Sequence, residues 1–71
     1  MNNNGELKMR IQKEIEVLYN KLKVMNDDTY IKYFDTSERL GWYVMIDDVW
    51  LYGGETEKEC LKNAIEYFEE L

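Results

Sequence analysis

Apolar residues recur near the start of the chain at Leu7, Ile11, Ile15, Leu18, Leu22 and Met25, at spacings of four, four, three, four and three. That is the period of one helical face. It predicts an α-helix that opens near Gly5, is capped by Asn4 and carries Glu6 in its first turn. Residues 1–4 are expected to fray. Lys8, Lys13, Lys21 and Lys23 fall on the wet side. The last spacings also fit barely two heptads of a coiled-coil seam, so the stripe serves either the chain's own sheet or a dimer.

Asn26-Asp27-Asp28 stops this helix. Thr29 to Phe34 is β-branched and aromatic and reads as a strand. Ile31 and Tyr33 can share one of its faces, Tyr30 and Phe34 the other. Asp35 to Gly41 is a polar connector. The longest apolar run follows, Trp42 to Tyr52, broken at its middle by Asp47-Asp48. Two β-rich runs around two turn residues predict a hairpin. The second aspartate would need positive φ without being glycine, so a slightly longer loop stays open. With a two-residue turn, Ile46 faces Val49, Met45 faces Trp50, Val44 faces Leu51 and Tyr43 faces Tyr52. Alternation then puts Trp42, Val44, Ile46, Val49 and Leu51 on an aliphatic, core-like face. Tyr43, Met45, Trp50 and Tyr52 form the other face.

Gly53-Gly54-Glu55 ends the hairpin. Thr56 to Glu59 has the form of a capping box. Cys60, Leu61, Ala64, Ile65, Phe68 and Leu71 form the stripe of a last helix. The fold class is α+β, in the order α-β-β-β-α: a three-stranded antiparallel meander with the C-terminal helix on its aliphatic face. The long N-terminal helix is expected across the sheet or at a dimer interface.

Length changes this picture little. The 71 residues make one small domain, and a chain of this size buries only about 60% of its unfolded surface. With one cysteine and no histidine, neither a disulfide nor a Cys/His zinc site can staple it, which favours oligomerisation. No apolar run approaches a membrane span of roughly 20 residues, and Met1 to Glu6 lacks a signal-peptide pattern. A soluble, cytoplasmic protein is expected, in the host cytoplasm if phage-encoded.

Charge changes it more. The net charge is −6: +2 over residues 1–25, −6 over 26–60 and −2 over 61–71. Acid gathers around the hairpin, where it repels phosphate backbones and attracts basic surfaces.

Catalytic chemistry finds little support. The usual base near neutral pH is missing, and Cys60 lies on an apolar stripe. Ser37 has neither a glycine elbow nor a visible partner. Asp27-Asp28 and Asp47-Asp48 lack the spacing of a calcium loop, so they read as turns. No enzyme activity, cofactor or metal is expected. An aromatic sheet face can stack bases, but the rim here is acidic, with only Lys32 and Arg39 opposing, so direct nucleic-acid binding is disfavoured.

The β-β-β-α order resembles the N-terminal DNA-binding domains of tyrosine-type phage integrases, whose basic sheet residues this sheet lacks. Gly53 to Glu66 resembles the strand-to-helix passage of HicB-type antitoxins. Gly54, Thr56, Glu59, Asn63 and Ala64 are the matching positions, and the long first helix is a departure. In its size and acidity the chain is also similar in outline to phage inhibitors of host defence, such as anti-CRISPR and anti-restriction proteins.

The expectation is therefore a non-enzymatic binder of a basic, nucleic-acid-handling protein. Its contacts would be Asp35, Glu38, Asp47, Asp48 and Glu55 with Tyr43, Trp50 and Tyr52. A self-associating, antitoxin-like module, dimeric through the first helix, is the alternative.

Overall fold

The computed structural model describes the backbone of residues 4–71 and the side chains of residue 10 and residues 12–71. The chain forms α1 (Asn4–Met25), β1 (Tyr30–Asp35), β2 (Leu40–Ile46), β3 (Val49–Gly54) and α2 (Glu57–Glu69). The expected Asn4 cap, the state of residues 1–3 and the side chains of Leu7, Lys8 and Ile11 lie outside the described residues. Among those described, no helix is long and apolar enough to cross a membrane.

The end of α1 follows from its sequence. Asn26 closes the last turn by donating its backbone N–H to the Leu22 carbonyl at 2.8 Å. The Asn26 side chain accepts from the Asp28 N–H at 3.0 Å, a local bond that competes with further helix. Lys23 then donates to the Asp27 and Thr29 carbonyls at 3.2 and 2.9 Å. The helix is thereby tied to the start of β1.

The sheet is antiparallel, in the order β1-β2-β3. The hairpin has the two-residue turn: Asp47 and Asp48 sit at φ 52° and 64°, and Ile46 pairs with Val49, Met45 with Trp50, Val44 with Leu51 and Tyr43 with Tyr52. Trp42 then pairs with Gly54, leaving Gly53 as the extra residue of a bulge. β1 lies on the far side of β2, with Tyr30 opposite Met45, Ile31 opposite Val44 and Tyr33 opposite Trp42.

One face of this sheet holds the core. Val44 and Ile46 cluster with Leu22 of α1 and with Cys60, Leu61, Ala64 and Ile65 of α2, and Ile15, Leu18, Tyr19, Ile31, Trp42 and Phe68 pack around them. Burying each large side chain contributes about 1.5–3 kcal/mol. Both helices therefore lie on the same side, and the molecule is two layers thick, with principal dimensions of 46 × 32 × 17 Å.

The helix layer is also pinned by polar contacts. Lys58 donates to Glu14 at 2.6 Å, Tyr19 donates to Glu57 at 3.3 Å, and Lys21 stands 3.6 Å from Glu69. α1 thus runs along α2 and drops Leu22 into the core. Of the stripe residues, Leu22 is fully buried within the chain, and Ile15 and Leu18 pack against its core while staying partly exposed. Val49 and Leu51 are largely exposed: β3 is the outer strand, and the helix layer covers it at Gly53 and Gly54. Met25 and Leu71 fall beyond the packed turns and are exposed as well.

Candidate protein-docking face

Among the described residues, no helix lies on the other face of the sheet. Tyr30, Lys32 and Phe34 of β1 reach it, because Tyr30 is paired with Met45 and Lys32 with Tyr43. Tyr43 and Met45 of β2 and Trp50 and Tyr52 of β3 complete it.

Its rings meet edge to face. Phe34 lies 5.0 Å from Trp50 and 5.2 Å from Tyr43, between ring centres. Tyr30 stands 5.5 Å from Trp50, and Tyr43 5.4 Å from Tyr52. Each such pair contributes about 0.5–1.5 kcal/mol beyond area burial. Together they hold the face in one geometry before any ligand arrives. Tyr30 and Tyr52 remain 49% and 56% exposed despite these contacts. The Tyr52 ring lies over Gly41, where a Cβ would come within 2.9 Å of Tyr52 Cε1. Partial desolvation, then the charges of Glu55 and Glu59, raises the Tyr52 phenol above its ordinary pKa.

The connector brings a cation onto the rings. Thr36 accepts from the Arg39 backbone N–H at 2.9 Å, and its own N–H donates to the Arg39 carbonyl at 2.8 Å. This tight turn sets the Arg39 guanidinium 5.4 Å from the Phe34 ring centre and 5.9 Å from that of Tyr43. Lys32 stands 5.2 Å from Phe34.

Of the residues expected in a binding site, the structure brings Tyr43, Trp50 and Tyr52 together and divides the acids between the two ends of the strands. Asp47 and Asp48 form one end. Asp35, Glu38 and Glu55 lie at the other, about 20 Å away at the rise of a six-residue strand. The antiparallel order also carries Asp27 and Asp28 to the Asp47-Asp48 end. Tyr30 and Phe34, outside the set expected from the sequence, share this face. Period-two alternation through Thr29 to Phe34 carried that signal, but which alternate set faced outward depended on the pairing with β2. No spacing in the sequence signalled the folding of Arg39 back onto the rings.

Positions shared with the HicB-type passage have local work to do. Thr56 caps α2, accepting the Glu59 N–H at 3.1 Å, and Glu59 accepts from the Glu55 N–H at 3.4 Å. Asn63 donates to the Gly53 carbonyl at 2.6 Å, and Ala64 is buried.

Cys60 is buried, and desolvation, then Glu57 and Glu59, pushes its thiol up to about 11. Desolvation, then the charge and hydrogen bond of Glu57, pushes Tyr19 up to about 12. Both groups hold their protons more tightly folded than unfolded, so the stability they contribute is complete below the unfolded values, near pH 9 for the thiol and 10 for the phenol. It is lost as pH rises toward 11 and 12. The urea midpoint should therefore hold steady from pH 7 to 8 and fall above pH 9, and a Tyr19→Phe variant should fall less steeply above pH 10. An identical decline in both proteins would discount Tyr19.

Among the described residues, no three acidic or thiol side chains are grouped to hold a metal ion. No family model, curated protein or solved structure matches this chain.

Proposed function

We propose that the chain is a non-enzymatic protein-binding module that docks through the uncovered sheet face, and that its target is a basic protein that handles nucleic acid. One observation carries this reading: a preformed aromatic surface stands open between two acidic ends. Tyr and Trp at the centre with charge at the rim is the composition of binding hot spots. The protein's net charge of −6 would steer a cationic partner in. The acidic ends, set about 20 Å apart, would occupy basic patches that otherwise hold phosphates, as an inhibitor of the anti-restriction or anti-CRISPR kind does. Lys32 and Arg39 lie over the Phe34 and Tyr43 rings and mark where the partner must offer an acceptor or an acid.

The test is a panel of purified nucleases and other DNA-binding enzymes, measured by interferometry at low and raised salt with duplex DNA as competitor. Binding should be displaced by DNA and should weaken with salt, chiefly through the association rate. A panel with no DNA-displaceable binder would end this reading.

A second reading, self-association, is favoured by the free edge of the sheet. β3 reads V-W-L-Y-G-G and presents its outer backbone groups without a charged or proline residue to protect them. β1, the opposite edge, carries Lys32 and Asp35. A second copy adding its own β3 would extend the sheet to six strands. Sedimentation at rising concentration should then show a dimer, and Leu51→Lys should return it to monomer with an unchanged circular dichroism spectrum. A wild-type monomer throughout would remove this reading. Leu18→Asp would not isolate an assembly, because Leu18 packs against the chain's own core.

A further inference from the structure

A second surface lies on the helix side, away from the aromatic face. Where α1 and α2 run side by side they enclose an open groove of about 510 Å³, lined by Arg10, Lys13, Glu14, Val17, Leu18, Lys58 and Lys62. Four cations therefore border one carboxylate in a protein whose net charge is −6. That carboxylate is already answered, since Lys58 holds Glu14 at 2.6 Å. The floor is aliphatic: Leu18 is half-buried, and Val17 is 61% exposed among the polar exposed positions Arg10, Gln12, Lys13, Glu14 and Glu16.

We propose that this groove binds an acidic amphipathic helix of a partner protein, with an apolar side chain seated on Val17 and Leu18 and carboxylates meeting Arg10, Lys13 and Lys62. The groove follows α1 from Arg10 to Leu18, two helical turns or about 12 Å, which suits anchors spaced i, i+3 or i+4, and i+7. The choice of a peptide over a phosphate chain rests on the floor. A phosphodiester backbone would use the cations and leave Val17 and Leu18 wet, whereas an amphipathic helix covers both. The acidic bulk of the molecule does not forbid an anion here. At physiological ionic strength charges are screened beyond about 8 Å, while the long dimension of the molecule is 46 Å.

The probe is a fluorescein-labelled Leu/Glu amphipathic peptide of about 18 residues, long enough to populate a helix. A Glu-only peptide of equal charge and a short RNA duplex serve as comparators. Anisotropy should show saturable binding of the Leu/Glu peptide and at least about tenfold weaker binding of the Glu-only peptide, a difference of about 1.4 kcal/mol. Amide shifts in ¹⁵N spectra should cluster at residues 10–18 and 58–62. Arg10→Glu with Lys62→Glu should abolish binding while leaving the thermal midpoint in place. Val17→Ser, at an exposed position, should weaken the Leu/Glu peptide alone. Equal binding of the two peptides, tighter binding of the RNA, shifts confined to the aromatic face, or no binding at all would each overturn the proposal.

Discussion

Gly53→Ala is expected to destabilise the fold strongly. An alanine Cβ there would stand 2.2 Å from Cys60 Sγ, 3.0 Å from Cys60 Cβ and 3.2 Å from Cys60 Cα. The first of these atoms could turn away only into a filled core, and the last belongs to the helix backbone. α2 cannot simply lift, because Asn63 is bonded to the carbonyl of the same glycine at 2.6 Å. Overpacking of this kind costs about 1–3 kcal/mol and sometimes more. A 71-residue chain has about 4–10 kcal/mol in all to lose. A drop in midpoint of more than about 10 °C should follow. The partner substitution makes the cause visible. Cys60→Ala alone should destabilise modestly by opening a small void, yet in the Gly53→Ala background it should restore part of the lost stability, because it removes the nearest atom. Strict additivity of the two changes, measured by urea unfolding, would mean that the contact between β3 and α2 is not what sets the cost.

The second large effect joins stability to binding with opposite signs. Asp47 and Asp48 both adopt positive φ, a region that disfavours L-residues with a Cβ and that a type I′ turn fills most cheaply with Asn-Gly. Asp47→Asn with Asp48→Gly should therefore stabilise the fold by about 1 kcal/mol, raising the midpoint by roughly 4–8 °C. The same change removes two carboxylates from one acidic end. Affinity for a basic partner should fall at least about tenfold, mostly through slower association at low salt. A backbone held in a costly conformation by residues that are not the cheapest for it points to another use for them. A variant that gains stability and keeps full affinity would show that the two aspartates serve only the turn. Lysines at the same two positions would be a poorer test, since they keep the positive φ and add side chains less suited to it.

How far the sequence reached is clearest at the hairpin. The period-two run on both sides of Asp47-Asp48 defined the strands, their pairing and the two faces, because a one-residue slip would have inverted every side chain. The stripe at Ile15, Leu18 and Leu22 and the Thr56 cap were equally legible, being local patterns with local causes. The bulge at Gly53 was not. Two adjacent glycines signal a break, but only the fold shows that both must lack a side chain, Gly53 because Cys60 approaches it and Gly54 because it adopts positive φ against Glu59. The layering was open too, since a helical stripe does not say which apolar surface it will meet. Of the candidate residues, the central rings followed from alternation. The division of the acids between two ends followed only from strand order, and the Arg39 guanidinium over Phe34 only from the fold of the four-residue connector 36–39.

With both helices on one side, the two faces of the sheet answer to separate demands. Val44, Ile46 and Gly53 are fixed by the helix layer behind them. Tyr30, Lys32, Trp50 and Tyr52 pack against Phe34, Tyr43, Gly41 and one another on the outer face, so most substitutions there leave the buried core as it was. Such a scaffold can change its outer face one residue at a time without passing through an unfolded intermediate sequence. A selection that randomises the outer face alone should yield folded proteins at high frequency.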